Sequence, residues 1–285
     1  MKRIAYLDNL LYPVMLILTM IALHFHAGTI QLDINSSDAQ RDLNTAVGTS
    51  LLSGVFLLSI RIIQQNVAKH LFLMLNVIRK PQDFWFHRKK LSEQFKRHVI
   101  WSLSLGFVMP LLYMVSEGVI ARINEREVFA VAMGAVPFWL LMSLFILQIT
   151  TVNRYLWKFL SNGSIEAIDK IKLYRSVIKI AVTTIFMTSM VFLVIPVFWI
   201  KQPVHFFDMV FIVSLVLFFV VFLVAPTIKF ICIVRKIKCS LARDLDRKID
   251  RLIKESVVAE KSKEIEYLLS IKERYCDSWI FYRYK

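Results

Sequence analysis

Glycine is scarce. Seven glycines in 285 residues leave little material for a glycine-rich phosphate cradle. No Walker A run, GxGxxG turn or GxSxG nucleophile elbow occurs. No His-Glu-x-x-His pattern occurs either, which removes the ordinary zincin arrangement. Cysteine is equally thin. Cys232, Cys239 and Cys276 all fall late in the chain, which is no disulfide framework and suits a reducing compartment. Cys232 and Cys239 are too few and too far apart for a zinc site of their own. Charge is also sparse: 20% of residues are charged against 57% hydrophobic, with 22 Phe. Such a chain would cover a water-facing surface poorly.

What is present suits a bilayer. Met209 to Ile228 reads MVFIVSLVLFFVVFLVAPTI, twenty residues without a charge. At 1.5 Å per residue this covers roughly 30 Å, the thickness of a hydrocarbon core. Lys229, Arg235, Lys236 and Lys238 follow directly. Inside lipid the backbone must satisfy its own hydrogen bonds, and long apolar runs select helices over the alternating strands of a barrel. The expected fold is therefore all-α and polytopic. Six transmembrane helices are placed at about Leu10–Phe25, Val47–Ile63, Val99–Ile120, Val131–Val152, Val177–Ile200 and Phe207–Ile228, running as three hairpins. Met1-Lys2-Arg3 before an apolar run resembles the start of a signal peptide, but Asp8 interrupts it and no small-x-small site follows His26. An uncleaved first span is expected.

Orientation follows from lysine and arginine. The N-terminus carries two, residues 64–98 eight, residues 153–176 five and residues 229–285 fifteen; the opposite loops carry one, two and one. Positive residues stay inside. The expected protein thus has both termini in the cytoplasm, in a cell inner membrane. It has a six-helix membrane domain over 1–234, with basic cytosolic loops 64–98 and 153–176, and a cytosolic helical tail over 235–285. Gln64–Ile78 should continue span two as a helix until Pro81 stops it. A short helix over Ile165–Tyr174 should lead into span five after a turn at Asn162-Gly163. The tail has two apolar stripes with polar Ala259–Lys263 between them, and is expected either as one long helix or as a helical hairpin bent there. Its aromatic end, Trp279 to Tyr284, should dock. The outer loops are small; one holds an Asn35-Ser36-Ser37 sequon, meaningless in a bacterial host.

Candidate functional residues fall into two groups. Arg61 and Glu117 are charges within spans, and such residues mark pathways unless they reach water at the ends. Gln148, Thr184 and Ser189 are the polar material for a pathway; hydroxyl residues of this kind also serve close helix packing with interhelical hydrogen bonds. On the cytosolic side, Trp85, Arg88, Lys89, Lys90, Lys96 and Arg97 set aromatics beside clustered cations, as an interfacial helix on an anionic leaflet requires. His24 and His26, two apart on a helix, point apart and chelate badly. Asp244, Asp246 and Asp250 interleave with Arg243, Arg247, Lys248 and Arg251, the pattern of surface ion pairs. No catalytic, cofactor or metal site is expected.

The net charge of +15 is spread over alternate loops, so nucleic acid is not the expected partner. The expected partners are the bilayer, its anionic lipid head groups, further copies of the chain, and a cytosolic protein on the tail. In layout alone the chain resembles small bacterial inner-membrane proteins with a helical cytosolic tail. The expected function is non-enzymatic: oligomeric assembly as a pore, a membrane-perturbing effector or a scaffold, controlled from the cytosolic face, in a stress or phage-defence setting. A small transporter or transport subunit is the alternative; it needs a polar site near the midplane. A membrane-embedded enzyme needs clustered His, Asp, Glu or Cys at one depth, and the sequence offers none.

Overall fold

A computed structural model describes residues 2–30, 36–116, 119–161, 166–204, 206–254 and 259–277. Every regular element among them is helical. The α-helices are α1 (Lys2–His26), α2 (Ser37–Val77), α3 (Phe84–Ser116), α4 (Arg126–Ser161), α5 (Ala167–Val194), α6 (Phe206–Phe219), α7 (Ala225–Lys254) and α8 (Ala259–Lys272). A five-residue π turn, Val220–Val224, joins α6 to α7 without a gap. Six helical stretches are long and apolar enough to cross a membrane. Glu117, Asn35, the turn at Asn162-Gly163 and the end from Trp279 lie outside the described residues.

Several helices outrun a bilayer. α2 has 41 residues, roughly 60 Å at 1.5 Å per residue and about twice a hydrocarbon core. It begins at an N-cap, where Ser36 Oγ accepts from the Ala39 N–H at 3.1 Å. It ends at Val77 as expected; Arg79 takes a left-handed φ of 58° and Pro81 opens a short 3₁₀ turn. α2 is the hub. It packs against α1, α4 and α5, while α3 lies mainly on α4 and α7 on α5. The buried core runs along it through Leu52, Phe56, Ile60, Ile63, Leu71 and Met74.

Close packing on the hub depends on small residues. A Cβ on Gly54 would meet Ile17 Cγ1 and stand 3.1 Å from the Pro13 carbonyl of α1. At Gly106 a Cβ would fall 2.9 Å from Leu140 Cβ, so α3 and α4 also nearly touch at their backbones. Ser50, Ser53 and Ser59 of α2 are fully buried, and each hydroxyl donates to the carbonyl four residues back. The threonines of α5 behave alike. Thr183, Thr184, Thr188 and Ser189 bond to Lys179, Ile180, Thr184 and Ile185 carbonyls. These hydroxyls were expected to bond between helices; the carbonyl four residues back is nearer and always available.

The structure corrects three local expectations. Residues 167–176 form no separate short helix but the first turns of α5. Span five stops being α-helical at Val194; Ile195–Trp199 tightens into a 3₁₀ turn around Pro196. Asn44 of α2 caps that end, donating to the Phe198 and Ile200 carbonyls at 3.3 and 2.8 Å. Of the two forms expected for the tail the structure has two packed helices, and Ala259–Lys263 is not a bend but the helical start of α8. Leu268 of α8 packs on Leu245 and Ile249 of α7. Lys248 pairs with Glu264 at 3.0 Å and Lys272 with Asp246 at 2.7 Å across the same contact.

Candidate functional site

The most developed site lies at the lysine- and arginine-rich end of the bundle. α2 and α3 both rest on α4 and touch each other sparsely beyond the turn that joins them. The gap is a cavity of about 360 Å³. α2 contributes Gln64 and Gln65 above Val67 and Leu71; α3 contributes Arg88, Ser92 and His98; α4 contributes Gln148 and Thr151. With Phe84, Leu91 and Phe95, which also line it, these α3 positions recur every three or four residues, so one face of the helix forms the wall. Arg88, Ser92 and Gln65 are exposed and form the mouth, whereas Gln148 is 6% exposed and belongs to the floor.

The polar groups here are unequally satisfied. Gln65 and Asn9 exchange both amide hydrogen bonds, at 2.8 and 2.6 Å, and so clamp α1 to α2. His98 Nε2 lies 3.3 Å from Thr151 Oγ1. Gln148 Oε1 is buried and accepts no hydrogen bond. Just beyond the cavity His87 Nδ1 contacts the Tyr155 hydroxyl, tying α3 to α4. Arg88 stacks its guanidinium on Trp85, 5.2 Å from the ring centre, and Trp85 is 69% exposed. Lys89, Lys90, Lys96 and Arg97 are exposed along the same helix but do not line the cavity.

The other candidate residues do not converge. Arg61 lies on the α1–α2 groove, its guanidinium 4.6 Å from the centre of the exposed Tyr12 ring. Thr184 is buried in the core, Ser189 is exposed on α5, and Gln148 is in the cavity. Glu117 is outside the described residues. The polar set proposed for a midplane pathway is therefore scattered. His24 is buried, with Nε2 2.6 Å from where a Cβ on Gly134 would stand. Among the described residues no three His, Cys, Asp or Glu side chains gather as a metal site.

A second feature escaped sequence reasoning. Pro226 has no N–H, so the Phe222 carbonyl, four residues earlier, lacks its helical donor. The chain widens there: the Ala225 N–H bonds to Val220, five residues back. Asn153 of α4 supplies the missing donor, its Nδ2 2.6 Å from Phe222 O. Thr227 Oγ1 donates to Leu223 O at 2.6 Å. The proline was a visible signal; its partner was not. Gln64, Gln65 and His98 were likewise unremarkable polar residues in a basic segment.

Six apolar helices around a common core make this a multi-pass helical membrane protein. Comparison with protein-family models, curated proteins and solved structures finds no match.

Proposed function

We propose that this is a non-enzymatic membrane protein that acts by assembling with further copies of itself and is controlled from its basic, cytosolic face. Its spans run as three hairpins in a bacterial inner membrane, with both termini and the basic helix ends in the cytosol. The lysine and arginine distribution supports that orientation. Assembled copies act as a pore, a membrane-perturbing effector or a scaffold, in a setting such as stress response or phage defence.

The observation that carries the reading is the helical path from the last span into the tail. α6, the π turn and α7 run from Phe206 to Lys254 without interruption, and α8 folds back on α7. A cytosolic partner that displaces α7 and α8 displaces α6 with them. The π turn beside Pro226 is where the two can re-angle. α6 also turns Met209, Val213 and Leu217 outward, and the π turn adds Val221, an apolar face that accepts a second copy as readily as lipid.

Counting photobleaching steps of fluorescently labelled full-length protein in vesicles tests assembly. Two or more steps per spot are expected; single steps at every density sink the proposal. Inducible expression in a bacterium with a membrane-potential dye then separates a pore, which depolarises, from a scaffold, which does not.

A further inference from the structure

We propose that the cavity between α2, α3 and α4 binds the headgroup of a hydroxyl-bearing anionic phospholipid, that is, a phosphodiester with a free alcohol beyond it. This takes from the functional reading only that the basic end lies at a leaflet surface.

The floor asks for a donor. Gln148 Oε1 is buried in the wall with no hydrogen bond, and such an acceptor is normally met by a ligand or water when protein groups do not reach it. The walls ask for negative charge. Arg88 and His98 line the cavity and, among the described residues, no carboxylate does, so an anion finds a partner there. An alcohol fits better than an ammonium as the donor, because an ammonium would cancel the negative charge that the phosphodiester brings to Arg88, and no described wall residue would pair with it.

Size and position select the source. Arg88 and His98 lie ten residues apart on α3, about 15 Å along the helix. A volume of about 360 Å³ falls in the range of small-ligand sites, ~300–1,000 Å³. Inorganic phosphate would leave most of that length empty. Trp85 and Phe86 are exposed beside the mouth, as aromatics at a membrane interface are. Immediately after His98, α3 exposes Ile100, Leu103 and Phe107. With Arg88 turned off Trp85 and into the cavity, a headgroup can reach from it toward Gln148 and leave its acyl chains along an apolar helix.

The test measures lipid affinity for the purified full-length protein by native mass spectrometry, with three lipids. Phosphatidylglycerol has the phosphodiester and the alcohol, phosphatidylmethanol has the phosphodiester alone, and phosphatidylcholine is zwitterionic. Phosphatidylglycerol should bind about tenfold more tightly than phosphatidylmethanol, the worth of one good hydrogen bond. Gln148→Leu should erase that preference while keeping both anionic lipids ahead of phosphatidylcholine. Arg88→Gln should weaken both anionic lipids; Lys89→Gln and Lys90→Gln, outside the cavity, should do so far less. Ser92→Phe, at the exposed mouth, should block the preference without disturbing the buried floor. Equal binding of phosphatidylglycerol and phosphatidylmethanol by the unmodified protein overturns the proposal. So does a Lys89→Gln loss as large as that of Arg88→Gln, which marks general surface attraction. Soluble glycerol 3-phosphate binding as tightly as the lipid overturns the lipid source. Lipid preference and photobleaching steps are separate readouts, so failure of assembly and failure of this site are distinguishable.

Discussion

Replacing Asn153 with Leu removes the donor that α4 lends to the Phe222 carbonyl. The cost follows from what is left behind. Phe222 is an exposed residue of the last apolar stretch, so its carbonyl would lose its partner on the outer side of the bundle, where lipid supplies no replacement donor; hydrogen bonds between membrane helices average ~0.6 and reach ~1.7 kcal/mol. The bond here is short, and its carbonyl has lost its helical donor to Pro226, so about 1.5 kcal/mol is expected, the upper part of the membrane range. The proline supplies the control. Pro226→Ala restores an N–H four residues from Phe222 and lets the helix satisfy that carbonyl itself. In that background Asn153→Leu should cost less than about 0.5 kcal/mol. The coupling between the two sites is then at least ~1 kcal/mol, well above the ~0.3–0.5 kcal/mol within which independent sites add. Equilibrium unfolding in mixed micelles of the four proteins of this cycle measures it. Additive effects would falsify the idea that Asn153 acts through the carbonyl that Pro226 exposes.

Three further outcomes are expected. Gly54→Leu should destabilise the bundle by about 1–3 kcal/mol, the range of overpacking, because its Cβ would overlap Ile17 beside the Pro13 carbonyl; a melting temperature unchanged from wild type refutes the close approach of α1 and α2. Gln65→Leu alone should cost more than Gln65→Leu with Asn9→Leu, since the single variant leaves the buried Asn9 amide unmet and the double leaves none; the same unfolding assay decides. Charge reversal at Arg88, Lys89 and Lys90 should impair function in the expressing bacterium while membrane insertion, followed by fractionation, stays intact; normal activity there removes the basic face from the mechanism.

The residues that proved hard to read share a property. Asn153 and Pro226 lie 73 positions apart, and nothing in the local pattern of either indicates the other. Gln148 was visible as a polar residue in a span, but its expected companions were Thr184 and Ser189. The structure gives it Gln64, Gln65 and Arg88 as neighbours around a cavity instead. Arg61 was visible as a charge near the inner end of its span; that Tyr12 receives it depends on how α1 is rotated against α2. Gly54 and Gly106 read as ordinary helix-weakening residues until the partner backbones are known.

Hydropathy and charge are properties of consecutive residues. The sequence alone was therefore sufficient to determine that the chain is helical, that six stretches are apolar enough to cross a membrane, and which loops are basic. Which helix lies beside which is decided by side-chain fit over the whole bundle. Only the tertiary structure made α2 the hub, opened the cavity beside it, and put Asn153 against the carbonyl that Pro226 leaves without a donor. Where six packed stretches are all apolar, the hydrophobic pattern does not choose between partners; small residues and a few hydrogen bonds do.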